Sequence, residues 1–161
     1  MKKLFLAAFV AVCGLSGVNA QSTGFEAGAY VGIPVGDAGD ATSFNFGINA
    51  AYYWDVAESF KAGAMLGYDF FSGKEVEGEK QNISFLPIAA SAKYIFGESL
   101  FGGVDLGYAI YVGDGDGDGG FLYQPKFGYS GASFDAFGFY KGISVDGGTF
   151  SSVGAGFAYK F

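Results

Sequence analysis

The chain has 161 residues and a formal net charge of −7, with sixteen acids against nine lysines and neither arginine nor histidine. That balance excludes a basic nucleic-acid surface, and the missing histidine removes the commonest general base and metal ligand. Twenty-nine glycines and 19% aromatic residues occur without a Gly-X-Y period or a Gly/Ser linker, a mixture that suits many short, closely approaching strands.

Residues 1–20 read as a secretory signal peptide. Lys2 and Lys3 precede a short apolar run, and Ala20 supplies the small residue that leader peptidase needs before Gln21. The run is too short to cross a bilayer, which takes about 20 apolar residues. Val12 before Cys13 does not fit a lipoprotein site, and Cys13 leaves with the leader, so residues 21–161 form one domain without thiol chemistry. Lys2 and Lys3 leave as well and no acid does, which takes the net charge from −7 to −9.

Eight alternating segments follow, and no window shows sustained helical spacing. Phe25–Ile33 sets Ala27, Ala29 and Val31 against Glu26, Gly28 and Tyr30. Phe44–Trp54 opposes Phe46, Ile48, Ala50 and Tyr52 to Asn45, Asn49 and Tyr53, and Phe60–Phe70 opposes Ala64, Leu66 and Tyr68 to Lys61, Met65 and Asp69. In the fourth segment, Ile83–Phe96, Pro87 weakens the pattern because it lacks a ladder donor. The fifth spans Leu100–Val112. The sixth and seventh, Phe121–Tyr129 and Phe134–Tyr140, are less regular, and a single bulge there would move Gln124, Lys126 or Asp135 to the other face. The eighth alternates Val153, Ala155, Phe157, Tyr159 and Phe161 with Ser152, Gly154, Gly156, Ala158 and Lys160.

An even strand count lets the first and last strands pair and close the sheet. The connections alternate long and short, with long ones at 34–43, 72–81, 113–120 and 142–149, as in transmembrane barrels with both termini on the periplasmic side. The expected architecture is all-β, an eight-stranded antiparallel up-and-down transmembrane β-barrel after a cleaved signal peptide. A secreted, soluble lipocalin-like ligand-binding barrel would alternate too, but its outer face would need more than the glycines found here. The apolar face of strands two to five carries no charge, and Tyr52, Trp54, Tyr68, Phe70, Tyr94, Phe96 and Tyr108 gather toward its ends as interfacial girdles do.

Strand parity turns Glu26, Lys61, Asp69, Lys93, Asp105, Lys126 and Lys160 inward, together with Tyr30, Asn45, Asn49, Tyr53 and Ser91, and with Asp135 expected inward as well. An eight-stranded lumen is only wide enough for side chains, so these charges are expected to pair across it. Glu26 and Lys160 would meet at the closing seam. A salt-bridged polar plug and a narrow passive pore for ions or small solutes are both compatible with that set. Asp114, Asp116 and Asp118 with Gly119 copy the first half of a calcium loop, but Pro125 stands where the bidentate glutamate belongs, so this is at most a weak divalent-cation site. No cofactor is implied.

The alternating Phe157, Tyr159 and terminal Phe161 resemble the C-terminal signal that the barrel-assembly machinery reads in bacterial outer-membrane barrels. The mature chain as a whole resembles the small OmpA/OmpX-like barrels, in a form similar to the barrel-only outer-membrane proteins of Bacteroidetes-type bacteria. The resemblance implies an integral outer-membrane location with periplasmic termini. It also implies contact with membrane lipid and lipopolysaccharide, passage through periplasmic chaperones, and a monomeric class of structural, adhesive or porin-like proteins. Enzymes built on such barrels rely on histidine, which this chain lacks, so a non-enzymatic structural, surface-exposed barrel with acidic outer loops is the expected function. No peptidoglycan-binding domain is expected after the last strand, and the short acidic loops lack the Tyr, Trp and Arg anchors of a strong protein-binding surface.

Overall fold

A computed structural model of the protein describes residues 24–161 apart from 77, 78, 81 and 114–116. The signal segment 1–20 lies outside the described residues. The order is β1 (Phe25–Val35), α1 (Asp37–Ala41), β2 (Thr42–Ala57), β3 (Phe60–Gly73), β4 (Glu75–Val76), β5 (Glu79–Lys80), β6 (Ile83–Phe96), β7 (Leu100–Tyr111), β8 (Gly120–Ser130), β9 (Phe134–Val145) and β10 (Gly148–Lys160). Eight strands close into an antiparallel up-and-down barrel in the order β1-β10-β9-β8-β7-β6-β3-β2, and β4 and β5 form a small separate hairpin within the β3–β6 loop. Pairing of β1 with β10, from Glu26↔Lys160 to Val35↔Ser151, removes the free edges that an open sheet would expose.

Period two decides which residues enter the lumen, because a strand turns successive side chains to opposite faces. Among the described residues, 27 large apolar or aromatic side chains facing outward are 37 to 68% exposed. No charged residue belongs to the outward set of any of the eight barrel strands. Aromatic rings crowd the end that carries the chain termini, where Tyr52 meets Trp54 at 5.0 Å, Tyr94 meets Phe96 at 4.8 Å and Tyr159 meets Phe161 at 5.0 Å.

Three turns at this terminal end, 58–59, 97–99 and 131–133, are two or three residues long. At the loop end the connections are 36–41, 74–82, 112–119 and 146–147. The expected long loop 142–149 is corrected by the structure. Here β9 runs to Val145, β10 starts at Gly148, and Asp146-Gly147 makes a two-residue turn with Gly147 at φ 96. Ile143 and Val145 face the lumen and hold those residues in strand. Among the described residues there is one five-residue helix, α1, too short to show a period in sequence. Thr42 Oγ1 donates to its Ala38 carbonyl, and Lys74 Nζ donates to Gly39 at 2.5 Å.

Candidate functional site: a charged and aromatic lumen

Three polar clusters are stacked inside the barrel. At the terminal end, Lys93 of β6 is only 3% exposed and lies between two carboxylates, Glu26 of β1 at 2.7 Å and Asp135 of β9 at 2.5 Å. Its ammonium also sits 4.3 Å from the centre of the Tyr53 ring, a cation–π contact. Asp135 takes a second cation, Lys160 of β10, at 2.6 Å, and Lys160 donates to Ser130 and to the Gly131 carbonyl. In the middle cluster, Lys126 of β8 pairs with Asp105 of β7 at 2.8 Å. Ser91 donates to the same carboxylate and shares a 2.7 Å hydrogen bond with the Tyr53 hydroxyl.

The third cluster is the driest. Asp69 of β3 and Lys141 of β9 are both fully buried and 2.6 Å apart. Tyr30 donates to Asp69 at 2.8 Å and accepts from Lys141 at 2.6 Å, while Asn45 donates to Asp69 and accepts from Ser152. Gly47 lies beneath this tyrosine: a Cβ built there would overlap the Tyr30 ring. Each buried charge therefore has an opposite partner and added hydrogen bonds, which is the condition for tolerating ions away from water.

Beyond the third cluster, toward the loops, the lumen turns apolar. Phe71, Phe85 and Phe150 pack mutually with centroids 5.6 to 6.2 Å apart, and Tyr111 adds an edge contact to Phe85 at 5.8 Å. Leu122 and Ile143, fully buried, complete this plug. Between the first two clusters the free space is a cavity of about 10 Å³ bordered by Asn49, Phe101 and Phe137. A wider vestibule of about 500 Å³ opens at the terminal end, lined by Lys61, Glu98 and Lys160 among others, and a smaller one of about 250 Å³ lies at the loop end beside Phe150 and Val145.

Three expectations about these residues need correction. Lys61 does not join the buried network; it is part-exposed at the vestibule and pairs with Asp55 at 3.0 Å. Glu26 and Lys160 are register partners but do not bond to each other, because Lys93 takes the first and Asp135 the cation of the second. Lys141, the most buried cation, lies outside the inward set expected from strand parity. Its signal lay in the continued alternation Asp135, Phe137, Phe139, Lys141, one step past the expected end of the seventh strand. Of the aspartates in the half calcium loop, Asp114 and Asp116 lie outside the described residues and Asp118 is exposed. Phe157, Tyr159 and Phe161 all point outward, with Phe157 stacked on Phe134 at 5.5 Å and Phe161 beside Phe25 at 5.4 Å.

No protein-family model and no curated protein matches the chain. Among solved structures, the crystal structure of Ail, the attachment invasion locus protein of Yersinia pestis, aligns with a TM-score of 0.56 at 13% identity. That alignment covers 88% of this chain and 100% of Ail. Ail in a phospholipid bilayer nanodisc gives 0.55 at 13% over 84% of this chain and 99% of that one. A de novo designed transmembrane β-barrel gives 0.52 at 15% over 89% and 100%. At these identities the likeness is one of fold, and the fold is that of small eight-stranded transmembrane barrels.

Proposed function

We propose that the protein is an integral outer-membrane β-barrel with a sealed lumen, a non-enzymatic structural and surface-exposed protein of a Bacteroidetes-like kind. The observation that carries this reading is the uncharged exterior of all eight strands, flanked by aromatic rings. A soluble protein would leave that surface in water, and exposed apolar patches far smaller than this belt already mark interaction sites. In this reading residues 1–20 direct export, Phe157, Tyr159 and Phe161 present the assembly signal to chaperones and the assembly machinery, and the termini are periplasmic. The acidic loops then face outward beside lipopolysaccharide, and the barrel is monomeric because closure leaves no edge to pair. The aromatic plug and the small central cavity support a lumen that does not conduct.

Refolding residues 21–161 into outer-membrane lipid vesicles tests the reading. The expected result is a heat-modifiable barrel that resists alkaline extraction and shows no steady conductance in a planar bilayer. A chain that stays folded and soluble without detergent overturns the membrane assignment. Steady conductance, shifted in size or selectivity by Lys61→Ala with Lys93→Ala, replaces the sealed structural role with a narrow pore.

A further inference from the structure

Two of the three prolines in the barrel strands, inward Pro87 and outward Pro125, coincide with the gaps inside a barrel ladder, while Pro34 keeps its partner Ser152 and lies past the end of the β1–β2 ladder at Gly32↔Asn45. Between β3 and β6 the register runs from Phe60↔Tyr94 to Leu66↔Ile88 and resumes at Asp69↔Phe85, so the positions opposite Pro87 and Leu86 are unpaired. Between β8 and β9 it stops at Tyr123↔Gly142 and resumes at Lys126↔Phe139, leaving out Pro125 and Gln124. On its other side each proline keeps its partner, Pro87↔Ala109 and Pro125↔Val104. A proline has no N–H to give, so each removes the donor aimed at one neighbouring strand only. The β1–β10, β9–β10, β6–β7 and β7–β8 ladders are continuous, and the irregularities of β2–β3 fall at its ends.

Both gaps flank the same three strands. They divide the barrel into β6–β7–β8 and β9–β10–β1–β2–β3, and the buried charges follow that division. Asp105–Lys126 lies wholly within the three-stranded block, while Asp69–Lys141 and Asp135–Lys160 lie wholly within the five-stranded one. Among the described residues, Lys93 alone makes ion pairs from one block to the other, to Glu26 and to Asp135. Hydrogen bonds between Tyr53 and Ser91, from Tyr68 to Ser84 and from Lys160 to Ser130 at the terminal rim also span the division.

We infer that the barrel is a two-block device, in which β6–β7–β8 moves as a unit along two proline-cut seams and Lys93 is the clasp that holds it shut. Each block carries its own neutral ion pair, so parting the seams strands no charge except those that Lys93 serves. Opening therefore begins at the seams, while the junction of the first and last strands stays closed. This inference rests on the ladder and the ion pairs, and it holds whether or not the lumen conducts.

Residue-resolved amide hydrogen exchange of the barrel folded in detergent micelles tests it. Amides at Gly67 and Tyr140, whose N–H groups face Pro87 and Pro125 across the two seams, are expected to exchange about tenfold faster than those at Ala29 and Phe157 of the β1–β10 ladder. Lys93→Met should speed exchange along both seams by a further tenfold or so and leave β1–β10 unchanged. Pro87→Ala should slow the β3–β6 seam alone, and Pro125→Ala the β8–β9 seam alone; these two variants carry the test if Lys93→Met does not fold. Equal exchange in all ladders of the parent, acceleration of β1–β10 to the same extent as the seams, or proline replacements without a local effect would each overturn the two-block device.

Discussion

Lys141 and Asp69 are both 0% exposed, and their pairing shows what a single side chain contributes to this barrel. Truncating one partner leaves the other as a buried, uncompensated ion. Lys141→Met is therefore expected to cost about 3–5 kcal/mol in urea unfolding from lipid vesicles, whereas Asp69→Leu with Lys141→Met should return close to the parent. A double variant as unstable as the single one would show that the Tyr30 and Asn45 hydrogen bonds, not the charge pair, dominate the cluster. Gly47 belongs to the same site, since any side chain there displaces the Tyr30 ring. Gly47→Ala should lose about 1–3 kcal/mol by crowding alone in the same unfolding measurement. Inward placement of Asp69, Lys93, Asp105 and Lys126 is legible from alternation, but partner choice is not. Lys93 reaches two carboxylates on two other strands because the lumen brings β1, β6 and β9 within side-chain reach, a proximity that no sequence spacing encodes.

At the scale of the element, alternation discloses every barrel strand because only one face is apolar without interruption. What it understates is where strands end. Gly142-Ile143-Ser144-Val145 reads as loop by composition, yet Ile143 and Val145 point into the plug and carry β9 up to a two-residue turn. Prolines blur the fourth and sixth segments for a physical reason, since each interrupts a ladder that the surrounding residues still favour. The outward faces yield a prediction with a built-in control. Leu66 stands mid-strand on β3 and Val56 near the terminal end of β2, both well exposed. In a barrel folded in bilayers, Leu66→Lys should cost about 2–4 kcal/mol and Val56→Lys at most about 1 kcal/mol, because the penalty follows membrane depth. Equal and negligible costs in vesicle-based unfolding would place the belt in water instead.

The whole molecule separates its charge from its seal. Glu26, Asp69, Asp105 and Asp135 balance Lys93, Lys126, Lys141 and Lys160 in the lumen, so the interior is neutral. By sequence the loop-end connections hold nine acids against Lys74 and Lys80, which is −7 of the −9 carried by residues 21–161. If the lumen is sealed as proposed, the aromatic plug is the layer that blocks conduction, because neutral ion-pair clusters can rearrange around a passing ion whereas an apolar layer cannot offer it a ligand. Phe71→Ala, Phe85→Ala and Phe150→Ala together remove the three rings that pack against one another. Each truncation of a buried phenylalanine costs about 3–5 kcal/mol when made alone, and three neighbours in one contact do not add. The triple variant, folded and heat-modifiable, is expected to show steady bilayer conductance with weak ion selectivity, since the lining left behind carries equal numbers of both charges. Conductance limited to Lys93→Met, with the triple variant silent, would move the seal from the aromatic layer to the ion pairs beneath it.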